Sequence, residues 1–429
     1  MRVERAVTAC IPRSVLMSRV TIPLVPLVAL AACLDAVPTA PDPGPPVATA
    51  PLSAHVQSVT DPCAGDRVSS TSEIVYPSPE HRTLQSAVCA VIAGGTIHVL
   101  AGTYEERITI WGKHVNIRGV GNEEDPTGWP VLRAAVPSEV VAARTAEGVI
   151  TVGGRGSLRL TMIRVAGGDA GIFVDATSGP VEVKHAVFER NGRGVLHFSS
   201  AALSIKHITF TGQLWNAISF VPFDLTAQNC GGLNVSHGVF GSTGNAGIYV
   251  RGCFLTIDHT SIDFAQGGGI VGIASVVRID QVNVAFARYF GILLINTIAQ
   301  IEGTTVDFTK AGPLAPNPDP VYGDAITLWT TDASWAQGGP PKPAFVLLKD
   351  NSTNFTDRVA FSVFGGNADL KNNVFSFQPI DIQVETFDGY VAALTDLGGN
   401  QCFPSVEAGN PCFASSITIQ SPPPMGGLE

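Results

Sequence analysis

The sequence predicts an all-β protein: a single-stranded, right-handed parallel β-helix of about ten coils. Three observations predict this solenoid: a repeat of about 22 residues, three short strands in each repeat, and no helical periodicity between the strands. The repeat is marked by inward apolar residues separated by 22, 30, 22, 22 and 22 positions, namely Val183, Ile205, Val235, Ile257, Ile279 and Ile301. Leucine-rich repeats are excluded because regularly spaced Leu and Asn are absent.

Two further registers define the other strands of each coil. One begins with a small residue before an apolar alternation, at Gly171, Gly194, Ala217, Gly247, Gly269, Gly291, Ala325 and Ala360. The other is a third strand that ends in an aromatic ring, at Phe188, Phe210, Phe240, Phe264, Phe286 and Phe308. Because side chains alternate along a strand, the polar neighbours of the inward residues are expected to face solvent.

The body begins with a helix predicted from Leu84 to Ala93, followed by strands around Gly102, Tyr104 and Glu106. Residues 83–121 resemble the N-terminal start of pectin-lyase-like β-helix proteins, including pectin methylesterases. In that family a short helix caps the first coil ahead of a Gly-x-Tyr-x-Glu string. The resemblance implies the same capped solenoid and a carbohydrate-processing lineage. A cap is also needed physically, because an open end would expose core and unpaired strand edges.

The N-terminus predicts an exported lipoprotein. Residues 1–32 form a signal peptide, because the apolar run Val20–Ala32 is too short to span a bilayer and ends in Leu-Ala-Ala before Cys33. This string resembles the bacterial lipobox, which implies lipidation of Cys33. Residues 33–60 are a Pro- and Ala-rich tether, 61–420 the β-helix and 421–429 a disordered tail. Leu34 rather than Asp follows Cys33, which favours the outer membrane or cell surface.

The cysteines of the mature body are even in number, which favours disulfides in an exported protein. Coils stack about 4.8 Å apart, inside the Cα window of a disulfide, so residues one coil apart can be joined. The sequence therefore predicts sequential pairing among Cys63, Cys89, Cys230, Cys253, Cys402 and Cys412. The alternative is that one or more of these pairs are buried free thiols.

The composition excludes several classes of partner. The net charge of −10 argues against nucleic acid and against an anionic membrane surface. Contact with a membrane is expected only through the N-terminal lipid, and no cofactor is expected. A glycan or a cell-envelope partner is compatible with this charge.

The resemblance requires a search for catalytic strings of carbohydrate enzymes, and no complete one is found. Pectin methylesterases carry paired aspartates in fixed contexts, of which Val306-Asp307-Phe308 keeps only a fragment. The Ile257-Asp258-His259 string resembles one in pectate lyases, yet it falls on the repeat register. Whether the chain is an enzyme is left open, and its catalytic residues are unknown.

Four histidines fall at one position of four consecutive coils: His185, His207, His237 and His259. Gln281, Gly303 and Asn372 take that position in later coils. The simpler interpretation is a ladder of stacked side chains at a turn, and the alternative is a metal site, since imidazole binds Zn or Cu.

The outward positions of the strands that follow the small residues are apolar, and they form a stripe along the solenoid: Phe173, Leu196, Phe198, Tyr249, Val271, Ile273, Leu293, Ile295, Trp329 and Phe364. We expect a stripe of this size to mark an interface. Loops folding back, another chain or the tether, and sugar rings stacked on its aromatic members are three ways to cover it.

Three insertions lengthen the coils at residues 221–232, 311–323 and 330–344. The first and third follow the same strand, so they predict the walls of a trough roughly 15 Å wide, at about 4.8 Å per coil. Long loops on a rigid scaffold commonly carry function. The ligand-binding candidates in and around this trough are Phe223, Asp224, Tyr249, Arg251, Tyr322, Asp324, Trp329, Asp332 and Trp335.

These features favour an exported, lipid-anchored protein that binds a polysaccharide or a cell-envelope partner. A carbohydrate-active enzyme, either a polysaccharide lyase or a glycoside hydrolase, is the first alternative. A structural surface spacer is the second. Oligomerisation through the apolar outer stripe is compatible with each of them.

Overall fold

The computed structural model describes residues 61–64, 71–134, 148–222, 230–314, 317–336 and 342–403. Sheet 1 contains eleven parallel strands, in which each strand pairs with the equivalent strand of the next coil. Its strands are Ile108–Trp111, Gly148–Gly153, Ala170–Val174, Arg193–His197, Ile218–Phe220, Ala246–Arg251, Gly268–Ile273, Phe290–Ile295, Asp324–Trp329, Val359–Phe364 and Ile380–Glu385.

Sheet 2 contains 21 strands and forms the other sides of the coils. Its strands are Thr71–Tyr76, Val91–Val99, Thr103–Glu105, His114–Gly119, Val131–Arg133, Ser157–Ala166, Val181–Glu189, Leu203–Gln213, Leu233–Thr243, Phe254–Asp258, Ser261–Ala265, Val276–Asp280, Asn283–Ala285, Ile298–Glu302, Thr305–Asp307, Phe345–Lys349, Ser352–Asn354, Asn367–Lys371, Val374–Ser376, Ala393–Asp396 and Gln401–Phe403. A short antiparallel hairpin pairs Gly312–Leu314 with Asn317–Val321. Pro126–Gly128 and Ser334–Ala336 are single-turn helices among the described residues.

The register confirms the predicted parallel β-helix. Val183 pairs with Ile205 and Ile205 with Val235, and the same row continues to Ile257 and Ile279. All of these side chains are buried in one continuous apolar core that runs the length of the solenoid. The buried row and its polar neighbours follow the two-residue period of a strand, which is why the sequence was sufficient to place them.

The N-terminal cap is confirmed, although its helix is shorter than predicted. The helix runs from Leu84 to Ala90 and not to Ala93, because the backbone becomes extended at Val91, where it pairs with the first strand. Glu106 of the Gly-x-Tyr-x-Glu string ties the cap in place: its carboxylate accepts a hydrogen bond from the Leu84 amide at 2.7 Å and another from the Tyr76 hydroxyl. The string that carries the family resemblance therefore has a structural role: it fastens the cap helix to the first coil.

The small residues that begin the sheet 1 strands are required by the inward side chains of the third strand. A Cβ added at Gly291 would lie 2.2 Å from the Val306 side chain, and one at Gly194 would lie 2.3 Å from the ring of Phe210. Both distances are far below contact, so a larger residue would force the coil apart. The packing of the solenoid core thus requires a small residue at this position of the coil.

The predicted phenylalanine register is wrong in its second half. Phe188, Phe210 and Phe240 form an internal stack, with ring centroids 4.9 Å apart. Phe240 pairs with Ile262 in the next coil, so Phe264 lies two positions further along, at the turn, and its side chain is 52% exposed. Phe286 and Phe308 stack on Phe264 outside the body. The internal and external phenylalanine rows look alike in sequence because both lie near the end of the third strand of their coils.

The described disulfides follow the predicted sequential pairing; one ties the cap helix to the segment before the first strand, and the other joins neighbouring coils. Cys63 is bonded to Cys89 and Cys230 to Cys253, with Cα–Cα distances of 5.2 and 5.5 Å. Cys402 is also disulfide-bonded, whereas its predicted partner Cys412 lies outside the described residues. Disulfides of this kind form and persist in oxidising compartments, so the chain is an exported protein.

Cys33 and the segments predicted as signal peptide, tether and tail lie outside the described residues. Among the residues that are described, no helix is long and apolar enough to cross a membrane.

Candidate functional site

The apolar outer stripe is buried, as expected if loops of the chain fold back over it. Tyr249 is 4% exposed and Trp329 is 5% exposed. Both belong to a second apolar cluster on the outer side of sheet 1, which also includes Tyr322 and Ala336. Phe387, from the loop after the last sheet 1 strand, packs edge-on against the Trp329 ring at 5.4 Å. Segments of the chain itself therefore cover the stripe, and Tyr249 and Trp329 offer no open ring face to a sugar.

Asp324 is buried in a structural ion pair. Its carboxylate binds the Arg358 guanidinium in a bidentate manner and also accepts a hydrogen bond from the Ser362 hydroxyl at 2.6 Å. The Tyr322 ring lies beside this pair, with the Arg358 guanidinium 5.9 Å from its centroid. Burial raises the pKa of the Tyr322 hydroxyl far above its usual value. These groups hold a coil together and leave no carboxylate open to a ligand.

Asp332 lies in a separate cluster between two loops. Its carboxylate pairs with the Lys342 ammonium at 2.6 Å and accepts a hydrogen bond from the Tyr390 hydroxyl at 2.9 Å. Both hydrogen bonds lower the pKa of the Asp332 carboxyl group. The bond between Asp332 and Tyr390 also raises the pKa of the Tyr390 hydroxyl. Asp388 accepts a hydrogen bond from the Thr331 hydroxyl alongside. The cluster ties the loop after Trp329 to the loop after the last sheet 1 strand.

The remaining candidates do not complete an open trough. Phe223 and Asp224 lie outside the described residues. Trp335 lies in the single-turn helix Ser334–Ala336, and Arg251 is half-buried at the end of its sheet 1 strand. Of the other described candidates, Tyr249, Tyr322 and Trp329 lie in the buried apolar cluster, Asp324 in the buried ion pair and Asp332 in the contact between the two loops.

An open groove instead runs along the corner between two sides of sheet 2. It has a volume of about 470 Å³, and we call it the corner groove. One wall is the histidine register at His237, His259, Gln281 and Gly303, and the floor is the outer face of the strands that follow. The floor presents one hydroxyl or amide in each of three successive coils, at Ser261, Asn283 and Thr305.

The histidine register makes this corner because its residues adopt left-handed backbone conformations. His185, His207, His237 and His259 all have φ between 44° and 52°. Their rings stack at centroid distances of 4.8, 4.8 and 5.1 Å. The predicted turn ladder is confirmed, and Asp258-His259 is part of it. Burial lowers the pKa of His207, with smaller contributions from the neighbouring His185, His237 and Lys206.

Hydrogen bonds of buried side chains inside the coils hold the wall and floor of the corner groove in place. The buried Thr260 hydroxyl accepts a hydrogen bond from the Gly238 amide at 3.2 Å and donates one to the Asp258 carbonyl at 2.7 Å. In later coils the amides of Asn351 and Asn373 bind backbone carbonyls of the preceding coil at 2.9 and 3.0 Å. These internal bonds fix the positions of the exposed groups, as a binding site for an extended ligand requires.

The outer row next to the floor carries carboxylates. Asp263 and Asp307 lie two coils apart on the same side, and partial burial raises the pKa of both. Asn354 donates a hydrogen bond to Asp307 at 2.7 Å.

Within the described ranges, no group of three or more His, Cys, Asp or Glu side chains could hold a metal ion. Neighbouring imidazoles of the ladder lie one above the other, two pairs stacked and the His207–His237 pair tilted by 42°. The chemistry that the groove offers is hydrogen bonding, because its amides and hydroxyls both donate and accept.

Sequence reasoning missed the floor of this groove. Ser261, Asn283 and Thr305 each follow a corner residue by two positions, and their outward direction could have been inferred from the two-residue period. The signal was overlooked because short polar residues at strand starts are common in turns.

No family model and no curated protein sequence matches the chain. Several solved structures are similar to it at low identity. An alginate lyase from Paenibacillus sp. str. FPU-7 is 16% identical with a TM-score of 0.39, over 72% of this chain and 96% of that chain. The catalytic unit of a thermostable GH87 alpha-1,3-glucanase from Streptomyces thermodiastaticus strain HF3-3 is 12% identical with a TM-score of 0.40, over 75% and 66%. Pectate lyase Pel9A is 12% identical with a TM-score of 0.33, over 79% and 82%. At these scores no activity is transferred to this chain.

Proposed function

We propose that this protein is an exported polysaccharide-binding protein that holds a glycan chain along the corner groove. The observation that carries the proposal is the regular row of Ser261, Asn283 and Thr305 on consecutive coils, opposite His237 and His259. A polysaccharide is itself a repeating, extended chain of hydroxyl groups. A rigid surface that repeats hydrogen-bonding groups at a fixed spacing can therefore engage several sugar units with little ordering cost.

The groove favours a glycan over other extended ligands. Its lining combines hydrogen-bonding groups with apolar surface, including Val239, and contains no carboxylate, ammonium or guanidinium group. The net charge of −10 disfavours nucleic acids. Neutral imidazole and amide groups can pair with sugar hydroxyls as donor and acceptor together.

A glycan array tests the proposal with the intact chain and the variant Gln281→Ala/Asn283→Ala. We expect the variant to bind a positive glycan about tenfold more weakly, because two hydrogen bonds of about 0.7 kcal/mol each are lost. The control is Thr256→Ala/Gln300→Ala, which changes a second, mainly apolar groove of about 340 Å³ on the adjoining face. Equal losses in both variants would contradict the assignment to the corner groove.

Product analysis of each positive glycan distinguishes binding from catalysis. Binding with an unchanged glycan is the result expected for a binding protein. New reducing ends or unsaturated products would instead support the carbohydrate-active enzyme. A chain that binds no glycan would favour the structural spacer.

We also propose that Cys33 carries the lipid that holds the protein on the outer membrane or cell surface. The support is the Leu30-Ala31-Ala32-Cys33 string with Leu34 after it. Mass spectrometry of the mature N-terminus should show a lipidated cysteine, and Cys33→Ser should release the protein from the membrane fraction. An unmodified Cys33 in membrane-bound protein would refute this anchor.

A further inference from the structure

A row of exposed phenylalanines runs along the opposite end of the strands that floor the corner groove. We call it the phenylalanine ridge, and it comprises Phe264, Phe286, Phe308, Phe355 and Phe377. Neighbouring ring centroids are 4.9–5.0 Å apart, and neighbouring rings are within 8° of parallel. Four such spacings make a straight apolar edge about 20 Å long.

The phenylalanine ridge is energetically unfavourable in an isolated chain. Phe264, Phe286, Phe355 and Phe377 are between 42% and 57% exposed, so their ring edges face water. All five phenylalanines have φ between 53° and 62°, a left-handed conformation that bulky residues rarely adopt. Neither packing of the core nor the turn itself needs an aromatic residue here, because Ser242 takes the equivalent position one coil earlier.

We propose that the phenylalanine ridge is the contact surface for a second copy of this chain. A row of ring edges repeating every 4.9 Å is complementary to another row with the same period, and a second copy supplies that period in full. About half of each ring, roughly 100 Å² of a side chain that buries 150–250 Å², would be covered. The four exposed rings on each copy then bury roughly 800 Å² in total, and the half-buried Phe308 with the flanking side chains brings the contact to about 1,000 Å², about the smallest area of a specific interface.

The charges beside the ridge determine how the two copies face each other. Asp263 and Asp307 precede their ridge residues by one position, so they lie on one flank. Arg288 and Lys310 follow theirs by two positions, so they lie on the other flank, where their backbones pair between coils. Asp357 lies on this flank too and pairs with Lys310 at 3.1 Å, so the flank is basic chiefly through Arg288. A two-fold axis parallel to the solenoid axis brings the acidic flank of one copy against the basic flank of the other. An axis perpendicular to it would instead oppose like charges.

Sedimentation velocity of the intact chain over a range of concentrations tests the proposal. The wild-type chain should dimerise, and Phe286→Asn/Phe308→Asn should weaken the dimer at least about 100-fold, because four ring edges per dimer lose their burial and buried area converts only in part into affinity. Asn is chosen because it tolerates the left-handed backbone, and circular dichroism checks that the fold is kept. Phe254→Asn, which removes an equally exposed ring from another face, should leave the dimer unchanged.

A cysteine introduced at the ridge tests the same contact by covalent cross-linking. This test does not rely on a variant that dimerises more weakly. Under a parallel two-fold axis, residue 308 of one copy lies level with residue 308 of the other. The flanking rings hold the two Cβ atoms further apart than the ~3.5–4.5 Å that a direct disulfide needs. Phe308→Cys should therefore give a covalent dimer with a thiol-reactive bismaleimide cross-linker, and no cross-link would overturn the proposal.

Charge reversal tests the orientation. Asp307→Lys should weaken the dimer and Asp307→Lys/Arg288→Asp should restore it. Strengthening by Asp307→Lys alone would indicate the perpendicular axis and overturn the parallel one. A wild-type chain that stays monomeric would overturn the proposal, even if its ridge bound lipid vesicles or a glycan. A dimer unaffected by Phe286→Asn/Phe308→Asn would overturn it as well.

Discussion

His197 makes the stability of this solenoid sensitive to acid. The side chain is fully buried in the core, at the end of the strand Arg193–His197, and its ring stacks on Phe220 at 4.5 Å. Burial lowers its pKa from 6.5 to about 3, an effect that a nearby Ser199 backbone group only partly opposes. Neither ring nitrogen reaches a hydrogen-bond partner among the described residues. The imidazole is therefore held neutral inside an apolar environment.

The consequence for stability follows from proton binding. Below pH 6.5 the unfolded chain takes up a proton at His197, while the folded chain stays neutral until about pH 3. The unfolded state is thus favoured as the pH falls, and the free energy of unfolding decreases between these values. Between pH 8 and pH 5 the loss is about 2 kcal/mol, from a pKa difference of roughly 3.5 and RT of about 0.59 kcal/mol.

The substitution His197→Phe should remove this acid sensitivity. The aligned positions in the neighbouring coils are Val174 and Phe220, so an aromatic apolar ring is compatible with the stack. Urea unfolding followed by circular dichroism at pH 8 and pH 5 gives the difference for each chain. The wild-type chain should lose about 2 kcal/mol more than His197→Phe between the two pH values. The control His237→Gln removes an exposed imidazole but keeps His197, so it should retain the loss seen in the wild-type chain.

Equal losses in the wild-type chain and His197→Phe would refute the reasoning. The buried imidazole would then be protonated in the folded state, or be neutral in both states. Because every other titrating group is shared by the two chains, the difference between them isolates this one side chain.

Two further substitutions test how the coils are held together. Arg358→Met should lower the free energy of unfolding by about 3 kcal/mol, because it leaves the buried Asp324 carboxylate without its cation. Arg358→Met/Asp324→Asn should recover part of that loss in the same urea titration, and no recovery would count against the ion-pair explanation. Gly291→Ala should cost about 2 kcal/mol, because its methyl group overlaps the Val306 side chain. The control Gly128→Ala adds a methyl group where nothing lies within 4 Å, and a similar cost there would argue against the packing explanation.

The outer stripe shows where sequence reasoning stopped. Tyr249 and Trp329 were placed correctly on the outward side of their strands, because alternation is a local rule. Their exposure could not be predicted, because it depends on distant segments. Phe387 packs on Trp329 from 58 positions further along the chain. The predicted trough therefore became a covered surface, and Asp324 and Asp332 became parts of separate ion pairs.

The sequence by itself determined the strand register, the inward row through Ile257, the cap that Glu106 locks and the corner at His237. Each of these depends on contacts between neighbouring coils, and in a solenoid those contacts recur every repeat, so they leave a periodic trace in the sequence. Only the tertiary structure decided which outward rows meet solvent. The ridge through Phe286 stands exposed while the stripe through Tyr249 is buried, because burial of an outer face depends on loops that follow no repeat.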